Sequence, residues 1–267
     1  MASLSRRTPV RRTPAPIGLA ALGAVLLLLL PLAGLAVRAP WPDAARELAA
    51  PETLQALRLS LLCSLTATAI ALVLGVPLAW VLARGSFPGR AVLRALTTLP
   101  MVLPPVVGGI ALLLAFGRRG LLGAYLEAIG IRLPFTTAGA ILAETFVSMP
   151  FLVVTVEAGL RSMNSRLEEA ARTLGAQPWT VFTRVTLPLV APSILAGSVL
   201  CWSRALGEFG ATITFAGSFP GRTQTVPLAV YLLLQTRPEA SFVLSLLLVG
   251  VSLAVLVALR GRYLEVG

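Results

Sequence analysis

The 267-residue sequence contains no lysine and no histidine, and only 2 cysteines. Without lysine there is no Walker A lysine to hold nucleotide phosphates, which excludes ATP hydrolysis by that route. Without histidine there is no Ser-His triad, no HExxH zinc site and no imidazole proton shuttle. Cys63 and Cys201 fall in separate apolar runs with no metal-ligand spacing, so they read as small hydrophobes in packed or lipid-facing helices. Charge is scarce as well: 12% of residues are charged and 57% are hydrophobic. A soluble domain carries about 25% charged residues, so an ordinary water-soluble fold is excluded. What remains for function is arginine, a few glutamates and the backbone, which suits binding and conduction better than catalysis.

The 22 basic residues give a formal net charge of +11. They are scattered between apolar runs instead of forming a groove-lining patch, so nucleic acid is not an expected partner.

A bilayer core takes about 20 apolar helical residues. Ile17–Val37, Leu59–Ala83 and Ala95–Gly117 are 21, 25 and 23 residues long without a charge. A fourth run, 138–160, is interrupted by Glu144 and Glu157, while Val185–Ser203 and Ala240–Leu259 give 19 and 20 residues. The pattern predicts an all-α integral membrane protein with six transmembrane helices, the fifth continuing past Glu208. A shorter stretch, Thr223–Thr236, has 14 residues; it is too short to span and reads as re-entrant or interfacial at the outer mouth.

The first run follows Arg6, Arg7, Arg11 and Arg12. It is longer than the ~7–15 residues of a secretory h-region and no A-x-A site closes it, so an uncleaved span is expected. Arginine counting sets the direction. With the N-terminus inside, 13 arginines fall in inner segments and 8 in outer ones, Arg118 and Arg119 sitting against the trend. Both termini are therefore expected in the cytoplasm of a cell inner-membrane protein. The expected organisation is a cytoplasmic basic arm at 1–16, a first span at 17–37, a transmembrane domain at 50–262 with a connecting loop at 161–189, and a cytoplasmic tail at 263–267.

That loop carries a helix signal. Ser165 and Glu168 have capping-box spacing, Gly175 fits a left-handed C-terminal position, and Pro178 blocks continuation. The nine residues Arg166–Leu174 put Leu167, Ala170, Ala171 and Leu174 on one narrow face. Two readings fit: a docking surface whose small alanines let another protein approach closely, or an amphipathic helix lying on the lipid interface.

A resemblance decides between them. Glu169-Ala170-Ala171, then three residues, Gly175, nine residues, Val185, Thr186, Leu187 and Pro188 is similar to the "EAA" signature of ABC-importer permease subunits. Its pattern is EAA-x3-G-x9-I-x-LP, with Val185 in place of isoleucine the one departure. The resemblance implies a coupling helix between spans four and five, seated in a groove of a separate ATPase subunit. Leu167, Glu169, Ala170, Ala171, Leu174, Gly175, Leu187 and Pro188 would be its docking residues. ATP and Mg would bind that partner, and no cofactor would bind this chain. The segments Leu103–Gly109, Arg204–Thr212 and Phe215–Ala229 resemble molybdate permeases. Arg204–Gly210 is shared with the sulfate permeases, whereas Pro220–Thr225 is similar to the molybdate branch in particular. Resemblance extends over Glu52–Arg262. It implies molybdate, tungstate or sulfate as substrate and an extracytoplasmic binding protein as a partner. A pore at a two-fold interface would need a second copy of the chain and two ATPase subunits.

Charged groups inside a membrane face the bundle interior or a water-filled cavity. Arg204 and Glu208, four residues apart, would share a helix face, either beside an oxyanion route or as a structural ion pair. Pro100, Pro104, Pro105, Gly108 and Gly109 crowd span three, which reads as a broken, pore-lining helix or as ordinary kinking. Pro104, Pro105, Gly108, Gly109, Arg204, Glu208 and Thr212 are thus the candidate pathway residues. Glu144 and Glu157 would support a proton relay in a proton-coupled secondary transporter. Their 13-residue separation favours two side chains snorkelling to water from opposite ends of the span. No inverted repeat of the kind secondary transporters often show is visible, and a scaffold or intramembrane enzyme would have little chemistry to work with.

Overall fold

The computed structural model describes residues 14–263, all of them in helices and short connections, with no strand among the described residues. The basic arm with Arg6, Arg7, Arg11 and Arg12 lies outside the described residues except for 14–16, as does the tail beyond Tyr263. The chain begins with α1 (Ala15–Arg38), α2 (Trp41–Ala49) and α3 (Pro51–Arg84). Next come α4 (Arg90–Val102), α5 (Pro105–Phe116), α6 (Gly123–Ala128) and α7 (Thr137–Ser162). The second half holds α8 (Arg166–Thr173), α9 (Pro178–Val181), α10 (Leu187–Leu206), α11 (Gly210–Ala216), α12 (Val226–Thr236) and α13 (Pro238–Tyr263).

Local chemistry explains most boundaries. Pro51 opens α3 in the first turn, where its missing N–H costs nothing. Thr136 caps α7, its side chain accepting from the Gly139 N–H at 3.1 Å. Arg90 Nε donates to Leu82 O at 2.8 Å, closing off one of the free carbonyls at the end of α3.

α3, α7 and α10 form the main core, around Ala71, Ala79, Leu82, Leu152, Val153, Val156 and Val190. Small residues let the three backbones approach. A methyl group on Gly75 would meet Leu152 and Val153, and one on Gly197 would meet Leu152 and Thr155. Such small-residue seams are how helices associate where lipid removes the hydrophobic drive. A second cluster, Leu112, Ala143, Val147, Ala211 and Phe215, binds α5 and α11 to α7. α1 has no buried residue.

Among the described residues, five helices are long and apolar enough to cross a membrane: α1, α3, α7, the continuous rod Pro178–Leu206 and the Pro238–Val255 part of α13. The expected third span is instead two helices, α4 and α5, whose axes differ by 120°, and it makes a sixth span only if the pair is counted as one. The break is written in the prolines. Leu103 and Pro104 each precede a proline and are extended, with ψ of 134° and 130°, as proline demands of the residue before it. Pro105 then starts α5 afresh.

Three expectations need correction. The fifth span does not run past Glu208; α10 stops at Leu206, and Glu208 sits in the gap before α11. Glu144 does not snorkel: it is 1% exposed, two turns into α7. Glu157 does not reach for water either; it is buried at the end of α7 between Arg94 and Arg161, at 2.6 and 2.8 Å. In both cases the side chain is too short to leave a helix packed on several sides.

The apolar stretch after Thr223 is α12, eleven residues long. The Val226 N–H donates to Ser60 Oγ at 2.7 Å, and Thr137 Oγ1 to Arg222 O at 2.7 Å. α12 therefore lies at the end of the bundle where α3 and α7 begin. α8 lies at the opposite end, where both finish.

Candidate functional site

α8 covers Arg166–Thr173 and is closed by a tight C-terminal motif. The Gly175 N–H donates to Arg172 O at 3.0 Å and the Ala176 N–H to Ala171 O at 3.0 Å. Gly175 takes φ +84°, the left-handed position that glycine fills without strain. The apolar stripe faces outward: Leu174 is 89% exposed, Leu167 is 47% exposed, and Ala170 and Glu169 are exposed beside them. Ala171 is half-buried. Leu187 and Pro188 sit at the start of α10, Leu187 half-buried and Pro188 exposed.

The capping box does not form. Ser165 makes no side-chain cap, and the Arg166 N–H is taken by Asn164 Oδ1 at 3.1 Å. Glu168 turns inward instead, and is 5% exposed. Its Oε2 lies 3.1 Å from Arg84 Nε, and its Oε1 accepts from Thr186 Oγ1 at 2.7 Å. An ion pair with a buried guanidinium outweighs a hydrogen bond to an exposed amide. Thr186 closes the wide turn Phe182–Thr186, which joins α9 to α10 with a bond from the Leu187 N–H to Phe182 O.

The second group of candidates divides between the α5–α11 seam, which holds Gly109 and Thr212, and the end of α10 with the gap before α11, which holds Arg204 and Glu208. Arg204 and Glu208 do pair, at 2.6 Å, although the helix ends between them. Glu208 Oε1 also accepts the Ala211 N–H at 2.8 Å, and so holds the first turn of α11. Glu208 and Thr212 are buried, as are Gly108 and Gly109. Gly109 lies against Ala211 and Thr214, and Gly108 against Phe146. The two glycines sit at close helix approaches, whereas Thr212 keeps a buried hydroxyl without a hydrogen-bond partner. Pro104 and Pro105 are exposed, and Arg204 is partly so. Of the seven candidates, Pro104, Pro105 and Arg204 reach the surface of the protomer, and the other four are buried. Glu144 adds a buried carboxyl close enough to Glu208 for the two to interact, and its Oε2 has no hydrogen-bond partner.

Residues 71–265 match the family described as "Binding-protein-dependent transport system inner membrane component". The chain belongs to that family. Among relatives within it, the chain is 48% identical to the molybdenum transport system permease protein ModB of Mycobacterium tuberculosis, over 95% of this chain and 96% of that one. It is 40% identical to the sulfate transport system permease protein CysW of Synechococcus elongatus, over 90% and 86% of the two chains. The fold is similar to that of a chain in the crystal structure of a bacterial alginate ABC transporter with its periplasmic protein. That match has a TM-score of 0.77 and covers 94% of this chain and 93% of the other, at 17% identity.

The sequence resemblance pointed to Glu169, Ala170, Ala171 and Gly175, yet the side chain of α8 that reaches into the bundle is that of their neighbour Glu168. Arg84 and Thr186 were equally invisible as its partners. Arg84 offered one signal, a basic residue in the last turn of a helix; nothing in the sequence pointed from it to position 168.

Proposed function

We propose that this inner-membrane component carries molybdate into the cytoplasm as the permease subunit of an ABC importer. The observation that carries the substrate is the 48% identity, along 95% of the chain, to a molybdenum permease, against 40% to a sulfate permease. Tungstate, a tetrahedral dianion of similar size, would share the route. The exposed stripe of α8 supports its reading as the coupling helix, since Leu174 and Leu167 have no partner within the protomer that would cover them. The remaining parts follow from that role. Two copies form the pore, each docks one ATPase subunit, and an extracytoplasmic binding protein delivers the anion. Both termini are cytoplasmic, and the bent α4–α5 pair serves as the third of six spans.

The chain conducts and couples without catalysing. ATP and Mg bind the ATPase pair, whose closure moves the two α8 helices and switches the bundle between inward-open and outward-open states. Uptake of labelled molybdate in cells with and without the gene tests this, with excess tungstate and then sulfate as competitors. Gene-dependent uptake blocked by tungstate but not by sulfate is the expected result. Suppression by sulfate would reassign the substrate. Uptake that persists without the ATPase subunit and collapses with an uncoupler would replace the ABC reading with a proton-driven carrier.

A further inference from the structure

α8 leaves the chain between α7 and α9, but its one deeply buried side chain grips neither. Glu168 reaches Arg84, the last residue of α3, and Thr186, the last residue of the wide turn leading into α10. α3 and α10 are two of the three helices that build the main core. A single carboxylate thus ties a surface helix to both.

The connections on either side of α8 are short turns that bury little of the helix. On one side the chain turns through Met163 and Asn164; on the other it turns at Gly175 with left-handed φ. Force applied to α8 would be absorbed by these turns unless something stiffer joined the helix to the bundle. The Glu168 contacts are that joint: an ion pair and a hydrogen bond shielded from water are stronger than solvent-exposed ones. Arg84 Nε and Nη2 are both buried and neither completes a hydrogen bond, so the guanidinium meets Glu168 as an ion pair whose two donors a small shift of α8 could align on the carboxylate.

We propose that Glu168 is a positioning residue that transmits displacement of α8 to α3 through Arg84 and to α10 through Thr186. This rests on the permease reading above. Glu169 and the exposed stripe meet the partner; Glu168 carries the movement inward.

The test uses the complete complex in proteoliposomes, with its ATPase subunits and binding protein, and reads molybdate taken up per ATP hydrolysed. Glu168→Gln keeps the side-chain volume and an acceptor for Thr186 but removes the charge. It should lower the ratio by about tenfold, the factor that 1.4 kcal/mol of lost coupling represents, while the ATPase subunit still co-purifies in full. Thr186→Val should lower it less. The exchange of Arg84→Glu with Glu168→Arg should recover part of the ratio lost by either single change. An unchanged ratio in Glu168→Gln would overturn the proposal. So would loss of co-purified ATPase in step with uptake, which would make Glu168 a docking residue. If the exchanged pair fails to assemble, Glu168→Gln alone decides. If the unmodified complex carries sulfate and not molybdate, the substrate assignment fails, and the same ratio is read with sulfate.

Discussion

A methyl group added at Gly109 has no room. Its carbon would lie 2.6 Å from Thr214 Cβ, 2.9 Å from Ala211 O and 3.1 Å from Ala211 Cα. Carbon atoms in good contact sit about 3.5–4.0 Å apart, so α5 and α11 must separate by about 1 Å to accept it. Two of the three neighbours are backbone, which cannot rotate away as a side chain can. The separation would loosen Leu112, Ala143, Val147, Ala211 and Phe215, the cluster that fixes both helices on α7. Overpacking of this kind costs about 1–3 kcal/mol, and the backbone clash puts Gly109→Ala in the upper half of that range. The protein carries its own reporters, since Cys63 and Cys201 are both free and buried. Heating the purified protein with a thiol-reactive dye reads unfolding as these two thiols emerge. The midpoint should fall by about 2–4 °C per kcal/mol. Gly250→Ala, where nothing lies within 4 Å, should not lower it, and Gly108→Ala, which meets only the Phe146 ring at 3.3 Å, should lower it less. If Gly109→Ala melts with the unmodified protein, or Gly108→Ala is the more damaging, the α5–α11 packing is not what limits stability.

Three further outcomes are expected. Leu174→Asp, on the most exposed leucine of α8, should abolish co-purification of the ATPase subunit while leaving the thiol-emergence midpoint unchanged, because the side chain buries nothing within the protomer. Arg204→Gln leaves Glu208 buried without its cation and should destabilise by about 3 kcal/mol; adding Glu208→Gln should restore much of that, and normal uptake by an assembled Arg204→Gln would remove Arg204 from the anion's route. Glu157→Gln weakens the contact to Arg94 that ties α4 to α7, so limited proteolysis at 85–89 should quicken while the α8 docking assay stays unaffected.

Where local rules act alone, the sequence was a sound guide. The α8 helix was expected over Arg166–Leu174 and occupies Arg166–Thr173, with Gly175 left-handed, because a glycine terminus and an apolar stripe need no distant partner. The break in the third span follows equally from two adjacent prolines. Failures occurred where a long-range partner overrode a local one. Glu168 fitted a capping box by spacing, but Arg84, 84 residues earlier in the chain, offered a partly buried charge that no spacing rule reveals. Glu144 was read as snorkelling because intramembrane carboxylates are costly; its burial depends on how α7 is covered by neighbours on several sides. α2 and α6 were missed as helices, each too short for a span and carrying too little periodicity to stand out. Gly207 ended α10 one residue before the glutamate that was assigned to it.

The wide turn at Phe182–Thr186 takes one more residue to go round than an α-helix would. Each α-helical residue advances by about 100°, so a deletion anywhere inside α10 would swing everything beyond it to a new side of the bundle. Gly197 would lose its seat against Leu152, and Arg204 would leave its place beside Glu208. A deletion within Phe182–Thr186 has a different effect, because ordinary winding could take up the missing residue and leave the later azimuths where they are. The turn stores one residue of slack between the two ends of the rod. Length changes near α8 are thereby kept from reaching the half of the helix that carries Arg204.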